Sequence, residues 1–125
     1  MKVKETNFST DVDILFNLDP YTARPIMVSD TGVTANSEGK KIVKAGTLLD
    51  KDGVSKNDGT VRYVLLKDVD VTFGKAPGAG LYRGTVDKDK IKSYANVTIS
   101  KAAEVALKGV IFMSKADYDY VVKEA

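Results

Sequence analysis

The sequence predicts a mainly β domain built from antiparallel strands, and three observations carry that expectation. Between Lys41 and Val86 the chain runs through short stretches rich in β-branched and aromatic residues, set apart by Gly/Asp/Asn/Pro clusters. Two stretches, Val12–Leu18 and Asp68–Val71, alternate apolar and polar residues, the period of a strand with one buried side. Helix-forming composition is confined to short pieces near the end of the chain.

Taken in order, Asn7–Asp19 carries Phe8, Val12, Ile14, Phe16 and Leu18 among polar residues. From Val12 the apolar positions alternate, with Leu15 breaking the pattern, until Asp19-Pro20 stops it. This pattern suits either an edge strand of the core or an extended arm whose apolar side awaits a partner. Residues 1–24 are therefore set apart as an N-terminal arm, and residues 25–125 as a β-rich domain.

Pro25–Val28 is a short apolar run, Ser29–Gly32 a turn cluster, and Val33–Lys40 a polar loop or hairpin end. Ile42–Leu49 reads as one strand, with Gly46 as a bulge or close-packing point. Asp50–Gly59 is the most polar segment, and Asp50, Asp52 and Asn57 offer oxygen donors. An EF-hand loop counted from Asp50 needs glycine at its sixth place and glutamate at its twelfth. The glycine falls at the fourth and Val61 at the twelfth, so two tight turns, Asp52-Gly53 and Asp58-Gly59, explain the segment better.

Val61–Leu66 reads as a strand that continues through Val69 and Val71. Asp68 and Asp70 share one side of it, as a carboxylate pair would need, yet no histidine or motif accompanies them, which favours a solvated strand face. Gly74–Gly80 lacks the Gly-Lys-Ser/Thr ending of a phosphate loop and reads as a flexible hairpin connection. Leu81–Val86 is a further strand, Asp87–Lys92 a charged loop or single helical turn, and Ala95–Ile99 a short extended piece. Ser100 is placed to cap a helix in which Ala102, Val105 and Ala106 face inward, with Gly109 as its stop. Val110–Met113 forms the last strand, and Ser114 and Asp117 start a short terminal helix carrying Tyr118, Val121 and Val122.

The 125 residues suffice for one domain with a real core. At 43% hydrophobic and 29% charged the composition is that of a folded protein rather than a disordered one. A net charge of +2, with both signs interleaved, argues against a nucleic-acid partner. The chain has no cysteine and no histidine, so it lacks a nucleophilic thiol, a thiolate metal site and the usual base near neutral pH. These facts point to a non-enzyme without a cofactor or bound metal. The N-terminus lacks the apolar region of a signal peptide, and no run approaches the roughly 20 apolar residues of a membrane span. The expectation is a protein made in the cytoplasm, with no membrane partner.

Four segments together carry a resemblance: Gly46-Thr47-Leu48-Leu49, Leu65-Leu66-Lys67-Asp68-Val69-Asp70, Arg83-Gly84-Thr85-Val86 and Gly109-Val110-Ile111-Phe112. In this order and spacing, with an alanine-rich helix before the last, the region Ile42–Met113 resembles the bacteriophage head decoration proteins, the group of the phage lambda capsid-stabilising protein. The resemblance implies a compact antiparallel β-barrel, or tulip-like core, with one or two short helices and an extended N-terminal arm. It implies a virion protein on the capsid exterior that cements the expanded head, with the major capsid protein as partner. Relatives commonly sit as homotrimers at three-fold or quasi-three-fold sites, and some attach as monomers. The implied capsid-contact set is Phe8, Val12, Ile14, Phe16, Leu18 and Tyr21, adding a strand to an exposed sheet edge of the shell. The competing reading is a β-barrel binding module of a phage tail or cell surface, with Tyr63, Tyr82, Tyr94, Tyr118 and Tyr120 as a glycan or protein platform.

Overall fold

A computed structural model describes residues 14–15 and 20–114. Over these residues the protein is mainly β, with antiparallel pairing throughout except at one strand, and two short helices. The strands are β1 (Thr22–Val28), β2 (Ile42–Val43), β3 (Leu48–Asp50), β4 (Val61–Leu65), β5 (Val69–Asp70), β6 (Ala76–Asp87) and β7 (Val110–Met113). The helices α1 (Lys88–Ala95) and α2 (Lys101–Ala106) lie between β6 and β7.

The main sheet has the order β1-β6-β4-β3, with β7 added to β6. It is open, since β1 and β3 stand at opposite ends of that order and do not pair among the described residues. β7 runs parallel to β6, Gly84 facing Val110 and Asp87 facing Met113. Parallel neighbours cannot be joined by a tight turn, and here α1 and α2 supply the crossover. β2 and β5 form a separate antiparallel ribbon, Ile42 facing Asp70 and Val43 facing Val69.

Adjacent residues in β3 and β4 are both buried, which means that both faces of the sheet are covered. Leu48 and Val64 face one side, where Ile91 of α1 and Ala103 and Leu107 of the α2 region pack with Leu81, Val86 and Val110. Leu49 and Leu65 face the other, against Val43, Val69 and Val71 of the ribbon and Val28 of β1. The sheet is thus clamped between a helical layer and a β-ribbon.

The glycine-rich stretch is the largest departure from the sequence reading. Residues 76–80 are strand, and they open the long strand β6. Gly78 and Gly80 sit two apart, on one face. A Cβ on Gly78 would lie 2.8 Å from Val69 Cγ2 and 2.9 Å from Val28 Cγ2; one on Gly80 would lie 2.9 Å from Ile26 Cδ1 and 3.0 Å from Tyr63 Cβ. The glycines are a trough that lets the ribbon-side core close on the sheet, so their signal is close approach and not a loop.

Other differences are local. The strand expected over Ile42–Leu49 is broken into β2 and β3 by a turn in which Thr47 donates from its backbone N and Oγ1 to Lys44 O (3.1 and 2.7 Å). Gly46 within it is a close-packing point, its Cβ position 3.0 Å from Ile91 Cγ1. The charged segment after Asp87 is a full helix, and no strand forms over Ala95–Ile99. Ser100 caps α2 as expected, accepting from Ala103 N at 3.1 Å. Ala103 and, just beyond α2, Leu107 are the buried residues, and Ala106 is partly buried against them as expected, whereas Ala102 is exposed and Val105 is 64% exposed. Leu107, one helical turn beyond Ala103, has the larger apolar side chain to bury, and the helix is rotated accordingly. Gly109 does not stop α2, whose C-cap is Leu107; it lets β7 pass Tyr82 O, which a Cβ would meet at 2.5 Å. The terminal helix expected over 115–122 lies outside the described residues.

Asp87 ends β6 and begins α1, its carboxylate accepting from Asp89 N at 2.9 Å and Lys90 N at 3.2 Å. Replacing it with alanine, D87A, is expected to lower stability by about 1 kcal/mol. Urea denaturation would show it as a lower midpoint with an unchanged slope.

Candidate functional site

Of the N-terminal segment before Pro20, Ile14 and Leu15 are the described residues. Ile14 is 0% exposed and belongs to the helix-side core. Its carbonyl accepts from Asp87 N at 2.7 Å, and Leu15 bridges antiparallel to Val86. Ile14 is therefore an interior residue, which takes it out of the outward-facing contact set. Its side chain meets Val86, Ile91 and Leu107 in one apolar cluster, and burying it there is favourable without any partner.

Tyr21, by contrast, is 50% exposed, with its Cβ packed over Gly84 at the bend of β6. The segment then continues as β1, so the boundary expected after residue 24 falls inside a strand. β1 is a terminal strand of the sheet, paired with β6 from Thr22↔Arg83 to Val28↔Ala76. Met27 on it is exposed. Phe8, Val12, Phe16 and Leu18 lie outside the described residues.

The oxygen-bearing side chains that the sequence singled out, Asp50, Asn57, Asp68 and Asp70, are hydrogen-bonded within the fold. Asp50 accepts from Asp52 N (2.9 Å) and Val54 N (3.0 Å), holding the first tight turn. Asn57 donates to Thr98 O (2.7 Å) and accepts from Ser100 N (3.0 Å), pinning the segment that leads into α2. Asp68 accepts from Ala45 N at 2.9 Å and from the Tyr94 hydroxyl. Asp70 accepts from Thr72 N at 2.9 Å and from the Thr72 hydroxyl. The two carboxylates thus serve different turns and do not converge on a common point. Among the described residues no group of three or more acidic side chains could hold a metal ion.

The Thr72 hydroxyl and amide hold the Asp70 carboxyl below the usual carboxylate range, and Thr60 does the same for Asp58. A carboxylate whose folded pKa is depressed binds protons less readily in the fold than in the unfolded chain. Its contribution to stability is present above about 3.8 and is lost as pH falls through the lower folded value. Thermal midpoints measured from pH 6 down to pH 2.5 should therefore fall, and D70N should shrink that fall.

Two depressions lie at the C-terminal end of α1, both lined by its C-cap Asn96. One, of about 280 Å³, is lined by Val33, Ile42, Lys44, Tyr94 and Asn96. Lys44 Nζ lies 5.1 Å from the centroid of the Tyr94 ring there, a cation–π contact. The described tyrosines of that set do not share one surface. Tyr63 and Tyr94 are half-buried on opposite sides of the sheet, Tyr82 is exposed, and Tyr118 and Tyr120 lie outside the described residues.

The strongest surface signal is one that the sequence reading passed over. Phe73, in the turn joining β5 to β6, is fully exposed at 101% of its reference area. It is the next apolar position in the alternation of Val69 and Val71, a pattern that by itself would place it on their buried side. Val105 and Ile111 are further large apolar residues on the outside. Among the described residues, no helix is long and apolar enough to cross a membrane. Comparison with known proteins finds no protein-family model and no curated protein that matches this chain.

Proposed function

We propose that the chain is a structural docking protein that binds the outer surface of a phage capsid and stabilises the expanded head. Support comes from the four segments of the resemblance, each of which contributes to the β framework: residues 46–49 in and before β3, 65–70 through β4 and β5, 83–86 in β6 and 109–112 in β7.

The observation that carries the reading is β1. It is a terminal strand of a well-packed sheet, and it follows directly on the alternating apolar segment. It is bordered by exposed Tyr21 and carries exposed Met27. A strand so placed suits docking, because main-chain groups supply affinity and alternate side chains supply fit. The capsid-contact set then reduces to Tyr21 from the described residues, with Phe8, Val12, Phe16 and Leu18 from the preceding segment.

The mechanism is mass action. A protein that binds only the expanded lattice lowers the free energy of that state. Copies at three-fold positions, acting as trimers, would bridge neighbouring capsomers, and a few kcal/mol per site sums over many linked contacts. Co-sedimentation with expanded, DNA-free heads of the phage that carries this gene tests the reading. Saturable binding at a fixed ratio to the capsid protein is the expected result, weakened in Y21S. Wild-type protein that stays in the supernatant would sink the proposal.

A further inference from the structure

The turn from β5 to β6 presents one aromatic ring to solvent on a stiff support. Gly74 N donates to Val71 O at 3.1 Å and closes the turn. Thr72 Oγ1 accepts from Lys41 N at 2.9 Å and donates to Asp70, tying the turn to the β2 end of the ribbon. Val71 N donates to Lys41 O at 2.8 Å, and Val69 and Val71 are anchored in the ribbon-side core. The backbone on either side of Phe73 is thus held, while the ring itself is wholly exposed.

A side chain presented in this way gives up little conformational freedom on binding, which is the property of an interface anchor. Lysines stand close in the chain to this turn: the backbone N of Lys41 donates to Thr72 Oγ1, exposed Lys40 precedes it, and exposed Lys75 follows two residues after the ring. Asp70, the carboxylate among them, is engaged by Thr72. An apolar tip on a turn flanked by exposed lysines complements an apolar pocket bordered by carboxylates.

We propose that Phe73 is a preformed anchor that inserts into a carboxylate-rimmed apolar pocket on the capsid protein; this inference rests on the docking reading above. A protein pocket fits better than an anionic membrane. A lone phenyl ring with three lysines, and a carboxylate in their midst, gives only marginal attachment to lipid.

The test compares wild type, F73S, F73L and K75E for affinity to the same expanded heads, with thermal melts of each. Because the ring is exposed, F73S should melt like wild type. Its dissociation constant should rise by about thirty-fold or more, the effect of removing an interface anchor. F73L should bind between the two, and K75E should weaken binding most at low salt. If wild type binds the heads and F73S binds equally well, the anchor is overturned and the docking reading stands. If wild type does not bind, both fall. A lowered melting temperature in F73S would show that the ring serves the fold, and would overturn the anchor. Binding of wild type to phosphatidylserine vesicles that is lost in F73S would reassign the ring to a membrane and overturn it as well.

Discussion

I14A is expected to lower the unfolding free energy by about 3–4 kcal/mol, the cost of emptying a fully buried aliphatic site. Ile14 is 0% exposed and lies among Leu81, Val86, Ile91 and Leu107, residues from β6, α1 and the end of α2. The same core cluster draws on β6, α1 and the end of α2, elements held by other contacts, so the emptied space is expected to collapse only in part. Chemical denaturation followed by far-ultraviolet circular dichroism would measure the loss. An exposed arm residue would change stability by no more than about 0.5 kcal/mol, and that outcome would return Ile14 to the surface set. The same logic bears on truncation. Deleting residues 1–24 removes Ile14, the Leu15–Val86 bridge and the first three residues of β1, Thr22–Arg24. Lost capsid binding in that deletion would therefore report damage to the fold as much as loss of a contact. The point substitutions Y21S and F73S, at exposed positions, separate the two.

G53A should be nearly as damaging, for a different reason. Gly53 has φ +80°, a region where an L residue is strained by roughly 1–2 kcal/mol. A Cβ there would also lie 1.9 Å from Met27 O, a backbone atom that cannot rotate away. Ser29 N donates to Gly53 O at 2.9 Å, so the turn is fastened to the chain just beyond β1. Relief of the clash would pull that bond apart, and the total cost is expected to be about 3 kcal/mol or more. In a domain of this size, that lowers the melting temperature by about 10 °C. Gly32 and Gly39 provide the control. Their φ values are +77° and +78°, with nothing within 4 Å of a Cβ. G32A and G39A should cost only the backbone strain, and equal melting temperatures for all three variants would refute the steric argument.

Both expectations show which kinds of information the sequence held. The turns at Asp52-Gly53 and Asp58-Gly59 were legible because their hydrogen bonds are local: Gly53 N reaches Asp50 O at 3.0 Å, and Asp58 accepts from Thr60 N at 2.9 Å. The Ser100 cap was legible for the same reason. The glycines of β6 were not, since a glycine required by a neighbouring side chain has the same letter as one required by a turn. Val28, Val69, Leu65, Ile26 and Tyr63, arriving from other strands, give Gly78 and Gly80 their role.

The candidate site divides in the same way. The alternation through Ile14 showed an apolar side and left open whether the core or a partner would cover it. Phe73 continued the alternation of buried Val69 and Val71, yet it is exposed, because exposure is decided by what fails to pack against a residue.

The sequence by itself determined a mainly β chain, the positions of most strands and turns, and the absence of cysteine and histidine, because these follow from side-chain type and short-range backbone preference. Tertiary structure alone decided that Ile14 turns inward, that β7 lies parallel to β6, that α2 buries Leu107 in place of Val105, and that Phe73 stands clear. Each of those outcomes depends on which surfaces, distant in the chain, compete for the same buried volume.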